Sequence, residues 1–242
     1  MTTRADFAAA ADEFANRVLG ALRGAGGTAL VARHIDSAPD ALAALAAVRV
    51  LGADTFSPHL LAGAPFHADD AAAVARSFDA FPTPVAGPSA RPEERTVAAW
   101  RDWATTQLLG RFGGMDSPPA PPGPADDLTD TTDWQSWSVR MAQLATLATP
   151  GLDGPVHELA RGAAFPLARG VTRSVLRRDF PTAVRLVRWL AWLAHEGVAL
   201  PLDPAPVHEH VRLLGGASPR TALDLAVTDH LLTARTPEAV RT

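Results

Sequence analysis

The stretch DFPTAVRLVRWLAWLAHE, residues 179–196, decides the fold class. Asp179 can cap an unpaired backbone N–H, and Pro181 suits a first turn that has no partner for an N–H anyway. The run from Pro181 to Glu196 lacks the apolar–polar alternation of a strand and reads as a helix. Its apolar core, Val184 to Leu193, is interrupted by Arg185 and Arg188 and falls well short of the roughly 20 residues that span a bilayer. Trp189 and Trp192 are three apart and share one helix face.

The same grammar recurs outward from this segment. Ser57-Pro58, Asp203-Pro204 and Ser218-Pro219 each place a capping side chain before a Pro, and Ser37 with Asp40 resembles a capping box. Phe7, Ala11, Phe14, Val18 and Leu22 follow the helical period from Asp6 to Leu22, with Gly24, Gly26 and Gly27 ending that helix. Thr28 to Ala32 fits a short strand or a buried helical turn. Further helices are predicted to end at Leu51 and to cover Asp70–Ala80, Pro92–Arg111, Asp133–Ala148, Pro155–Leu176, Pro204–Leu214 and Pro219–Ala234, with Pro166 splitting or kinking its own. Alternating strand patterns and Asn-Gly turns are missing. The expectation is an all-α protein, an irregular multi-helix bundle of about nine to ten helices in one domain over residues 1–242. Pro-rich residues 113–125, including SPPAPPGP, interrupt it between two helical halves.

Composition restricts the chemistry. The chain has 242 residues, a net charge of −4, no Cys, no Tyr and no Lys, so all 22 basic residues are Arg. Thiol nucleophiles, thiolate metal sites, lysine aldimines and a Walker lysine are therefore excluded. His, Asp, Glu and Arg remain. The N-terminus lacks the basic start and apolar run of a signal peptide, which predicts the cytoplasm. No membrane or nucleic-acid partner is expected. The one basic cluster, Arg169, Arg173, Arg177 and Arg178, reads as a solvated helix face.

Several constellations could carry function. Asp126, Asp127 and Asp130 spell DDxxD, a pattern that holds the magnesium of an isoprenoid diphosphate in other helical enzymes; an acidic region before a helix gives the same pattern. His67 and Asp69 spell HxD, the opening of a facial iron triad that needs a β-barrel this chain lacks; a helix capped by Asp69 explains the triplet as well. Trp100/Trp103, Trp134/Trp137 and Trp189/Trp192 each share a helix face, through helix packing or as the lining of a cavity for a flat ligand. On the helix from Pro204, Val207, His210, Val211 and Leu214 share a face. On the last helix, Leu223, Ala226, His230, Leu231 and Ala234 do so. His210 and His230 are therefore expected to point inward. His34, His157, His208, His210 and His230 are the candidate metal ligands in a chain without Cys.

The segment from Trp134 to Pro201 resembles the questin oxidase-like family. It carries Trp134-x-x-Trp137, Pro150-Gly151-Leu152, His157-x-x-x-Arg161, Ala191-Trp192-Leu193-Ala194 and Leu200-Pro201, in the family's order. Upstream, ALAALAAVRVLGA at residues 41–53 is similar to a family helix, and Trp100-Arg101 matches a WR element. The resemblance implies an all-α oxidoreductase that tailors aromatic polyketides in secondary metabolism, cleaving a quinone ring oxygenatively with NADPH or a non-haem iron. By position, His157 and Arg161 take the family's His and Arg as catalytic residues. Ala164 stands where the family's second His falls, and no Lys is present for carboxylation. The substrate would be a flat aromatic small molecule bound by Trp100, Trp103, Trp134, Trp137 and Trp192. The alternatives are a non-catalytic helical binding protein and the magnesium-dependent diphosphate enzyme.

Overall fold

The computed structural model describes residues 3–82, 92–114, 120–123, 128–215 and 218–234. Its described residues are about three-quarters helical and contain no strand, so the fold is all-α. The helices run to α12, somewhat more than expected, because several predicted helices are cut into shorter ones. The chain gathers into two compact units. Unit 1 comprises residues 1–124, 149–152 and 218–223; unit 2 comprises residues 125–148, 153–217 and 224–242.

In unit 1, α1 (Arg4–Leu22), α2 (Leu30–Ser37), α3 (Ala41–Leu51), α4 (Ser57–Leu61), α5 (Ala68–Ala80) and α6 (Pro92–Gly113) surround an Ala-rich core. Thr28 to Ala32 is not a strand: it leads into α2, whose first amides bond to the buried Asp70 carboxylate of α5 at 2.7 and 3.0 Å. Asp40 alone caps α3, bonding Leu42 and Ala43, while Ser37 ends the helix before it. Ser57 caps nothing, because the 3-10 turn at Gly52–Phe56, entered through Gly52 at φ of 58°, runs into α4 with Phe56 and Ser57 both in helical backbone. Ala41–Leu61 therefore has the length and mean hydropathy (1.2) of a bilayer span, yet most of its apolar surface is buried inside unit 1. His67, not Asp69, is the N-cap of α5.

Unit 2 is built around α10 (Phe180–His195), which buries eleven consecutive or near-consecutive side chains from Ala183 to Ala194. Asp179 caps it through the Thr182 amide. Around it pack α7 (Trp134–Gln143), α8 (Pro155–Gly162), α9 (Ala164–Leu176) and α11 (Pro204–Leu214). The break between α8 and α9 falls at Ala163, and Pro166 sits in the first turn of α9, where its missing N–H costs no bond. Residues of α12 (Pro219–Thr233) from Asp224 onward belong to this unit. The two charges inside the apolar run of α10 are resolved by that segment. Arg188, fully buried, pairs with Asp224 at 3.3 Å and donates to the Ala148 carbonyl at 3.1 Å; Arg185 bonds the other Asp224 oxygen. A buried guanidinium is tolerable only when paired and hydrogen-bonded in this way.

Gly170 sets how closely α9 approaches. A Cβ there would lie 2.5 Å from Cβ of Ser138 on α7 and 3.1 Å from Leu186 of α10. The inner face of α9 is thereby held against both helices, and its outer face is presented at a fixed height beside Trp134. The helix ends on Arg178, with φ of 57°. The Asp179 amide there donates to the Ser174 carbonyl at 2.9 Å and that of Arg178 to Val175 at 3.0 Å, the bonding pattern that usually has Gly at this position. At the far end of α10, Gly197 makes the equivalent turn with φ of 77°, and the chain returns through Val198–Leu202.

Candidate functional site

The catalytic pair expected from the resemblance is separated by the helix it shares. His157 and Arg161 lie four apart on α8, but the His157 ring is fully buried and Arg161 faces outward. The His157 ring packs against Trp189 and Trp192, with centroids 5.7 and 5.1 Å away, and its Nε2 bonds the Leu147 carbonyl at 2.9 Å. A bond to a carbonyl requires a proton on Nε2, which leaves Nδ1 as an acceptor. Among the described residues Nδ1 has no hydrogen-bond partner, and neither does Nε1 of Trp192. Burial holds the imidazole pKa below its usual value, against the opposing pull of the Leu147 bond. Arg161 bonds Asp153, Glu158 and Glu196 at 3.0, 2.7 and 3.3 Å and lies 5.0 Å over the Trp192 ring. Three carboxylates already balance its charge.

The five candidate metal ligands do not converge. His34 belongs to unit 1, where it stacks on Phe14 at 4.6 Å with both ring nitrogens unbonded; burial lowers its pKa to about 4. His208, rather than His210, is the inward residue of α11, its Nε2 at 3.1 Å from the Leu225 carbonyl and Nδ1 at 3.5 Å from Asp229. The buried positions of that helix are Pro204, His208 and Val211, so Val211 is shared with the predicted face, but the helix is turned enough to bury His208 and leave His210 and Leu214 exposed. His230 is only half-buried. Among the described residues no three His, Asp or Glu side chains gather as a metal site. Asp126 and Asp127 lie outside the described residues; Asp130 bonds the Thr132 amide at 2.8 Å.

The tryptophan pairs divide. Trp100 and Trp103 meet edge to face at 5.3 Å inside unit 1. Trp189 and Trp192 do the same at 5.8 Å, with the Trp189 Nε1 donating to the Met141 carbonyl at 2.8 Å. Trp137 is buried and donates to the Leu128 carbonyl at 2.7 Å. These five indoles are packing and anchoring residues. Trp134, at the first position of α7, is the one that reaches an open site.

That site is a groove of about 610 Å³ on the outer face of α9, within the range of small-molecule sites. Trp134 forms one wall and Pro201 and Leu202 another; Phe165, Arg169, Arg173, Leu176 and Arg177 line its length. The guanidinium of Arg169 lies 4.1 Å over the Trp134 ring and 5.9 Å from that of Phe165. Stacking on an aromatic face fixes the plane of the guanidinium and leaves its N–H fork free to meet an anion. Phe165 and Leu176 are 62% and 79% exposed, large values for such apolar side chains on a helix that packs so well on its other side.

The electrostatics of the groove are one-sided. Arg169, Arg173 and Arg177 follow one another at four-residue spacing, which costs a few tenths of a kcal/mol for each like-charged neighbour on a helix. Among the described residues no acidic side chain lines the groove and none of the three Arg is ion-paired. The acidic residues adjacent in sequence are engaged elsewhere: Asp133, Asp179 and Asp203 cap α7, α10 and α11. The C-terminal dipole of α9 favours the cations nearest its end, which lets the helix carry them. The site residues that sequence reasoning missed are Phe165, Thr172, Leu176 and Leu202. The available signal was Phe165 and Leu176 falling on the same α9 face as the arginines, where a merely solvated face would be polar. No protein-family model matches the chain, and no curated protein or solved structure matches it significantly.

Proposed function

We propose that unit 2 is a cytoplasmic small-molecule binding module whose α9 groove holds an apolar ligand carrying a carboxylate, sulfate, phosphate or phenolate group. The observation that carries this reading is the unpaired row Arg169, Arg173, Arg177 beside Trp134, Phe165 and Leu176 in one groove. Arginine forks bind such anions bidentately, and the aromatic and aliphatic walls remove the rest of the ligand from water. The test is titration of the full chain with 1-naphthalenesulfonate, followed by Trp fluorescence and calorimetry. Saturable binding that weakens tenfold or more in Arg169→Gln supports the reading; equal affinity in both proteins rejects it.

A second reading is an oxygenase of polyketide tailoring that acts on a flat quinone-type substrate, with NADPH or iron as cofactor. The observation favouring it is the same Trp134–Arg169 platform, since a guanidinium stacked on an indole also suits a flat ring bearing an anionic oxygen. Oxygen uptake with a hydroxyanthraquinone, with and without NADPH and ferrous iron, checks it. No uptake under any of these conditions rejects the enzyme and leaves the binding module.

A further inference from the structure

We infer that the ligand of this groove is elongated: one extended alkyl or acyl chain, its anionic head at Arg169 and its tail running past Leu176 into a second compartment against α11. The inference rests on the anion-binding reading above and adds the shape of the ligand to it. The second compartment, about 290 Å³, is lined by Val171, Val175, Pro206, Val207 and His210. Thr172, Leu176 and Leu202 line both compartments, so the two hollows are one trough bent around Leu176. Phe165 and Leu176 are eleven residues apart on α9, which makes the first compartment alone roughly 16 Å long.

Polarity changes along that trough. The first compartment holds all three arginines. The second is almost wholly aliphatic, with His210 as its only titratable lining residue. A compact flat anion would satisfy the arginines and leave the aliphatic end in water. A head group joined to a single narrow chain matches both ends at once. Leu176, the most exposed large apolar side chain of the described residues, stands at the junction, where such a chain would cover it.

The experiment titrates the full chain, below micelle formation, with octyl sulfate, dodecyl sulfate and 1-naphthalenesulfonate. It is repeated with Arg169→Gln and with Pro206→Trp and His210→Trp, two exposed positions at the aliphatic end, each variant checked for helix content by circular dichroism. Every methylene buried tightens binding by about fourfold. Dodecyl sulfate is therefore expected to bind far more tightly than octyl sulfate, and either Trp substitution to shrink that ratio at least tenfold while 1-naphthalenesulfonate binds as before. A dodecyl-to-octyl ratio unchanged in both aliphatic-end variants overturns the elongated ligand. Loss of the Arg169 dependence for all three probes overturns the anion site itself, and uptake only onto anionic vesicles overturns both.

Discussion

Around α10, His157 lies against Trp189 and Trp192 in a sealed interior; on α9, Arg169 lies over Trp134 in an open groove. Each region sets an indole beside a nitrogen-bearing side chain, yet one serves packing and the other is placed to serve recognition. In the interior, these rings bond backbone carbonyls: Leu147 for His157, Met141 for Trp189. Those bonds tie α10 to α7 and α8 to the turn after α7. In the groove, Arg169 stacks on Trp134 without an ion-pair partner among the described residues, and Phe165 and Leu176 stay exposed. The residues with the most chemical promise in the sequence are therefore the ones most committed to structure, and the ones that read as a solvated face are the ones left available.

The sharpest way to break this comparison is Trp189→Ala. Removing a fully buried indole with its carbonyl bond is expected to cost about 3–5 kcal/mol in urea unfolding. A loss below about 1 kcal/mol would show that the α10 core is not packed as described.

The sealed imidazoles come next. The pKa of His34 in the folded chain is about 4, against 6.5 ordinarily, and that of His157 is shifted in the same direction. As pH falls through 6.5 the unfolded chain binds protons that the folded chain does not accept until about pH 4. Unfolding free energy should therefore be flat near neutral pH and fall across that window. For His34 the loss is on the order of 2 kcal/mol once screening is allowed for. Urea midpoints measured across the window for the native chain and for His34→Leu should differ in slope; identical slopes would sink the assignment.

Arg178→Gly tests the end of α9. A non-Gly residue at positive φ pays a conformational cost, so the substitution should raise stability by about 0.5–1 kcal/mol, seen as a higher melting temperature. The smallest stability effect is expected for Arg169→Gln, within about 0.5 kcal/mol of the native chain, although it is the substitution expected to weaken anion binding most. If Arg169→Gln instead destabilised the protein as Trp189→Ala does, the groove would be a structural element and the contrast between the two regions would collapse.

The sequence alone determined the helical fold class, because helix periodicity and capping are local: residues three and four apart and an Asp before a Pro act through bonds within one turn. The N-caps Asp179 and Asp203, the break close to Pro166 and the helix from about residue 181 to 196 were legible for that reason. The inward face of α11 was not, since His208 and His210 are equally compatible with a helix and only its packing on α10 selects one of them. Nor was the partner of Arg188, which lies thirty-six residues away at Asp224. The site was the least legible part. Whether an arginine row is a solvated face or the floor of a groove depends on what stands opposite it. Trp134, Pro201 and Leu202 come from distant parts of the chain and meet α9 only because Gly170 lets that helix close against α7 and α10. Local bonding encodes the helices; the juxtaposition of their outer faces exists only once they have packed.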